Sequence, residues 1–180
     1  MAPELEAILD PRGAAPDEGA ARLAPRKDSL EGRRVGLLNN AKPNAAVILE
    51  RLATLLQERY GVADVMMLSK PSFAVPADDV MMDKLAEQCD AVIAGVGDCG
   101  SCSAATTADG VLLEQRGVPA AAIVTDIFRA SSAAMAQLKG FPGYKFVAVP
   151  HPIASLEGDE IDHLAEAALP EVLAILGVPA

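Results

Sequence analysis

From Val35 onward, short apolar runs alternate with stretches of helical period, the pattern of repeated βα units around a parallel sheet. Val35 to Leu38 predicts the first strand. Beyond Asn39 and Asn40, Pro43 fits the first turn of a helix whose buried stripe is Val47, Leu49, Leu52, Leu55 and Leu56, ending near Gly61. Val62 to Leu68 predicts a second strand, Asp78 to Gln88 a second helix, and Ala91 to Val96 a third strand closed by a glycine-rich turn. A helix then starts close to Ser103 and runs toward Gln115. Ala120 to Val124 is a fourth strand, Ile127 to Leu138 a helix, Phe146 to Val149 a fifth strand, and a last helix follows Gly158. Five parallel strands with helices on both faces describe an open α/β sheet of flavodoxin-like or Rossmann-like type. Residues 1–33 break the pattern: they are rich in Pro, Gly, Ala and charge and lack a long amphipathic period. The expected organisation is an N-terminal arm over 1–33, lying over the core or a neighbouring subunit, followed by one α/β domain over 34–180.

The 180-residue length suits one core. With 51% hydrophobic and 22% charged residues and no charge-free apolar run of spanning length, the composition is that of a globular chain and points away from a membrane. A net charge of −10 repels phosphate backbones, and 3% aromatic residues leave little for stacking bases, so nucleic acid is not an expected partner. The start, MAPELEAILDPRG, has acids where an export signal has bases and no apolar segment, which points to the cytoplasm.

In an open parallel sheet, ligands bind outside the carboxyl ends of the strands. Those ends carry Asn39, Asn40 and Lys42 after the first strand, Ser69 and Lys70 after the second, and Asp98, Cys99, Gly100, Ser101, Cys102 and Ser103 after the third. Thr125 follows the fourth strand and His151, between Pro150 and Pro152, the fifth. Cys99-Gly100-Ser101-Cys102 is a C-x-x-C opening a helix, where free N–H groups and the helix dipole favour a thiolate, so Cys99 is the candidate nucleophile. Cys102, one helical turn on, is placed to resolve an adduct or close a disulfide. Half a zinc site is the competing reading, yet only Cys89, His151 and His163 are left as further ligands and no second pair has finger spacing. Cys89, among apolar residues at the end of a helix, reads as a buried structural thiol, and His163 as a surface residue. His151, its loop restricted by prolines, is either an acid or base for the site or a loop-packing histidine.

These residues resemble a known family. Gly97-Asp98-Cys99-Gly100-Ser101-Cys102-Ser103, with Gly117-Val118-Pro119, Thr125 and Val149-Pro150-His151-Pro152, is similar to the UGSC family of (seleno)proteins, whose name spells selenocysteine-Gly-Ser-Cys. The segment Asn39 to Asn44 also looks like that family. More distantly, the chain resembles the catalytic region of the selenoprotein B component of glycine, sarcosine and betaine reductases. The resemblance implies that Cys99 occupies the selenocysteine position and Cys102 that of the resolving thiol. The chain departs from the reductase pattern in carrying sulfur at position 99 and Ala105 where a further cysteine is expected.

The expected function is a cysteine-dependent enzyme or catalytic subunit of reductase or thiol-transfer type. Cys99 would attack a small electrophilic substrate, Cys102 would resolve the adduct, and His151 would act as acid or base. Asn39, Asn40, Lys42, Asp98, Gly100, Ser101, Ser103 and Thr125 are the expected substrate contacts. No cofactor and no metal is called for; a partner subunit or thiol reductant and a homo-oligomer are expected. The alternatives are a dithiol/disulfide oxidoreductase acting on a protein partner and a Rossmann-like nucleotide-binding module. Against the latter, Gly95-Val96-Gly97 lacks the third glycine of a dinucleotide fingerprint.

Overall fold

The computed structural model describes residues 22–179. The elements are β1 (Arg34–Asn39), α1 (Ala45–Tyr60), β2 (Asp64–Ser69), α2 (Asp79–Gln88), β3 (Ala91–Gly97), α3 (Gly100–Gln115), β4 (Ala120–Thr125), a 3₁₀ turn (Asp126–Phe128), α4 (Arg129–Leu138), β5 (Val147–Val149) and α5 (Asp159–Leu176). The five strands are all parallel, in the order β2-β1-β3-β4-β5, so the expected open α/β sheet is the fold. No helix among the described residues is long and apolar enough to cross a membrane.

Alternation along the central strands divides the core into two layers. Val35, Leu37, Ile93 and Ile123 pack on one face against α1 and α5 through Leu49, Leu52, Leu56, Leu169 and Leu173. Leu38, Val92 and Ala94 turn to the opposite face, against Met82 and Leu85 of α2 and Leu113 of α3. On that face Gly36 lets α2 come close: a Cβ there would lie 2.8 Å from the Leu85 side chain and 2.9 Å from Cys89 Sγ.

Several boundaries differ from the sequence reading for local reasons. α1 begins at Ala45, not at Pro43, because Asn44 adopts a left-handed conformation (φ 64°) and its Nδ2 donates to the carbonyls of Ile153 (2.9 Å) and Leu156 (2.8 Å). Val47 is exposed, and Ile48 takes its place in the buried stripe. β2 starts at Asp64, since Gly61 ends α1 in a left-handed conformation and Val62 closes the helix end through a bond from its N–H to the Leu56 carbonyl. α3 starts at Gly100, ahead of Ser103, and Phe146 stands outside β5.

Most of the expected arm, residues 1–21, lies outside the described residues; 22–33 lie against the body. Leu30 joins the core beside α1. Glu114 of α3, its side chain wholly buried, accepts from the Ala24 N–H (2.6 Å), the Ala120 N–H (2.8 Å) and both terminal nitrogens of Arg26 (2.8 Å each). One carboxylate thereby ties this segment to α3 and to the start of β4.

Candidate active site

β3 delivers the C-x-x-C to the middle of the carboxyl edge, because β1 and β4 flank it in the sheet. The close seat of α3 on the strand depends on Gly97, where a Cβ would fall 2.6 Å from Ser103 Cα and 2.8 Å from its Oγ. Cys99 is the N-cap of α3, and its Sγ accepts from the Cys102 backbone N–H at 3.3 Å. A sulfur in that position faces the positive end of the helix, which favours the thiolate once the thiol is reduced. Cys99 is partly exposed and Cys102 wholly buried, and a disulfide joins them across a Cα–Cα separation of 5.2 Å. Ser101 is exposed, its Oγ 3.6 Å from Cys99 Sγ, and Gly100 is partly open with Ser131 of α4 near it.

His151 is held at the same edge by the residue that precedes Cys99. Its Nδ1 lies 2.9 Å from Asp98 Oδ1 and 3.2 Å from Thr125 Oγ1, and Phe128 meets its ring edge-on at a centroid distance of 5.5 Å. The Asp98 side chain is only 7% exposed and also accepts from the Ile153 N–H at 3.3 Å. With Nδ1–H donating to Asp98, the second ring nitrogen is left free to take or give a proton. Asp98 and Thr125 thus orient the imidazole, a different position from the substrate contact read in the sequence.

The remaining expected contacts divide into two groups. Asn39 and Asn40 are buried and bonded within the protein: Asn39 Nδ2 to Ser69 Oγ (3.0 Å), Asn40 Nδ2 to the Val96 carbonyl (2.7 Å), and their Oδ1 atoms to the N–H groups of Ala41 and Lys42. They shape the β1–α1 turn and present no free amide to a ligand. Ser103 is likewise wholly buried beneath Gly97, which removes it from the surface. Lys42, by contrast, is partly open and stands 4.3 Å from the centroid of the Phe73 ring, linking the β1–α1 and β2–α2 loops. Of the expected site residues, Cys99, Gly100, Ser101, Lys42 and His151 are therefore the accessible ones.

Sequence reasoning assigned no role to Lys70 and overlooked Asp109. Lys70 Nζ and Asp109 Oδ2 form an ion pair at 2.6 Å with each side chain 1% exposed. Lys70 Nζ also donates to the Val75 carbonyl (2.9 Å), and Asp109 Oδ1 accepts from the Ala77 N–H (2.8 Å), so this pair fastens the β2–α2 loop to α3. Burial pushes the Asp109 carboxyl above the usual range, with Lys70 pulling the other way. The available signal was a lone acid in the otherwise uncharged run from Gly100 to Leu113.

Cys89 stands apart from this chemistry. It is buried at the end of α2, and desolvation pushes its thiol from 9.0 to about 11. Because the folded value is the higher one, the associated stability is present below pH 9 and is lost as pH rises to about 11, an effect of roughly 2 kcal/mol. Chemical denaturation of wild type and Cys89→Ala across pH 8 to 11 should show this extra loss in the wild type alone.

No group of three or more potential metal ligands occurs among the described residues. The model of the UGSC family matches residues 7–178. The chain belongs to the UGSC family. No curated protein and no solved structure matches it, so the likeness to selenoprotein B has no matched protein behind it. In this UGSC-family chain the motif that the family name spells has cysteine at its first position, Cys99, as the N-cap of α3.

Proposed function

We propose that this UGSC-family protein is a thiol-dependent reductase or thiol-transfer enzyme, acting alone or as a catalytic subunit on a small electrophilic substrate. The single observation that carries the reading is Cys99 at the N-cap of α3, joined to Cys102, with Asp98 beside it holding His151. In the reduced protein, Cys99 thiolate attacks the substrate carbon, a C–S bond forms as the leaving group departs, and His151 supplies the proton that group needs. Cys102 thiolate then attacks Cys99 Sγ. The S–S bond forms, the C–S bond breaks, and the released carbon takes up a proton. The substrate gains two electrons, the two thiols become one disulfide, and an external thiol reductant restores them.

Alkylation after reduction tests the nucleophile. Iodoacetamide followed by peptide mass analysis is expected to modify Cys99 first at neutral pH, with Cys102 and Cys89 protected by burial and Cys89 further by its raised pKa. Equal labelling of the three would remove the case for a tuned Cys99.

A second reading, a dithiol/disulfide oxidoreductase acting on a protein, is favoured by the apolar rim of the carboxyl edge. Val47, Phe73, Val75 and Ile127 are all exposed in the loops and first helical turns around the motif. A protein substrate would be trapped as a mixed disulfide by Cys102→Ser, whereas a small electrophile would leave a carbon adduct on the same variant.

A further inference from the structure

We propose that a second copy of this chain pairs with the β2 edge, antiparallel and about a two-fold axis at Met67. Among the described residues β2 has one neighbour, β1. The Lys70 N–H donates to the Asn39 carbonyl of β1 at 2.9 Å. Main-chain groups alternate sides along a strand, so the N–H and C=O of Val65, Met67 and Ser69 face away from β1; the Val65 N–H is held by Asp64 Oδ1 at 2.9 Å, a contact that pairing exchanges for a main-chain carbonyl.

Sheet edges are ordinarily guarded by lysine, proline, a bulge or an inward charge. Val65-Met66-Met67-Leu68 has none of these, and all four residues are half-buried rather than buried. Val65 and Met67 lean on the core layer of α1, Met66 and Leu68 on that of α2, so apolar surface is left partly open on both faces of the edge.

The strand is complementary to itself. Antiparallel pairing needs residues with outward main-chain groups to face one another, and an axis at Met67 sets Met67 against its equivalent and Val65 against Ser69 of the second copy. On the other face Met66 meets Leu68. Asp64, the one charged residue within β2, falls opposite the position of Lys70, so no like charges oppose. The product is one continuous sheet of twice the five strands.

Light scattering of the full chain at micromolar concentration should give twice the 18.6 kDa monomer mass. Met67→Pro removes an outward donor and no internal bond, and is expected to return the mass to that of the monomer with the fold retained. Where that variant fails to fold, Met67→Cys decides: it should cross-link to its own equivalent under mild oxidation, and Met66→Cys, set against Leu68, should do so far less. Hydrogen exchange gives an independent reading, with the Met67 and Ser69 amides protected in the dimer. A monomeric wild type, a dimer that survives in folded Met67→Pro, or protection of these amides in a monomer would overturn the proposal; the last would mean that another part of the same chain covers the edge.

Discussion

Replacing His151 by alanine is expected to slow turnover by about 10²- to 10⁴-fold, the usual effect of losing a positioned acid or base. Folding should change little, because the ring is at the surface and its loop has its own anchors in the Asn44 bonds to Ile153 and Leu156 and the Asp98 bond to the Ile153 N–H. Asp98→Asn separates orientation from chemistry. It keeps the imidazole but weakens the contact that places the proton on Nδ1, so turnover should fall while thermal unfolding stays close to that of the wild type. The pH profile of Cys99 alkylation supplies a readout that a packing role would not move: both variants should shift its midpoint upward. A His151→Ala protein that unfolds, yet keeps its thiol reactivity, would return the residue to loop packing.

Lys70→Met is expected to lower stability by about 3–5 kcal/mol, since it leaves the carboxylate of Asp109 buried without its counter-charge. The double variant Lys70→Met/Asp109→Leu should lose much less than the sum of the single changes, because a buried pair is replaced by apolar surface. The deficit of Lys70→Met should shrink as pH falls. Burial already raises the Asp109 carboxyl, removal of the ammonium raises it further, and the protonated acid needs no partner. Urea titrations of the three variants at neutral and mildly acidic pH check both statements. A single variant as stable as the wild type would show that this pair does not fasten the β2–α2 loop.

The sheet was legible because buried parallel strands appear as unbroken apolar runs, and Ala91 to Val96 and Ala120 to Val124 are of this kind. Hydrophobicity misled at Val62, where the apolar residue closes a helix behind a left-handed glycine instead of opening a strand. The start of α3 was expected close to Ser103, whereas the sulfur of Cys99, four residues earlier, caps the helix and Ser103 is buried. The motif itself was readable from spacing alone. The shared edge was readable too, since it set Asp98, Thr125 and His151 beside the motif, but the pairings were not: that Asp98 holds His151 Nδ1, and that Asp109 of α3 takes Lys70, depends on side-chain packing that spacing does not carry. Asn39 and Asn40 stand at the expected edge but are used internally, their Oδ1 atoms accepting from the turn's Ala41 and Lys42 N–H groups and Asn40 Nδ2 donating to the Val96 carbonyl of β3.

The central claim is that Cys99 forms the bond to substrate and Cys102 breaks it, and intact-protein mass spectrometry of wild type and Cys102→Ser, reduced and then exposed to candidate electrophiles, measures this directly. The account predicts a stable carbon adduct on Cys99 in Cys102→Ser, and in the wild type only a transient adduct that gives way to the Cys99–Cys102 disulfide as reduced product appears. Adducts that persist equally in both proteins, or that form on Cys102 or Cys89 instead, would contradict it.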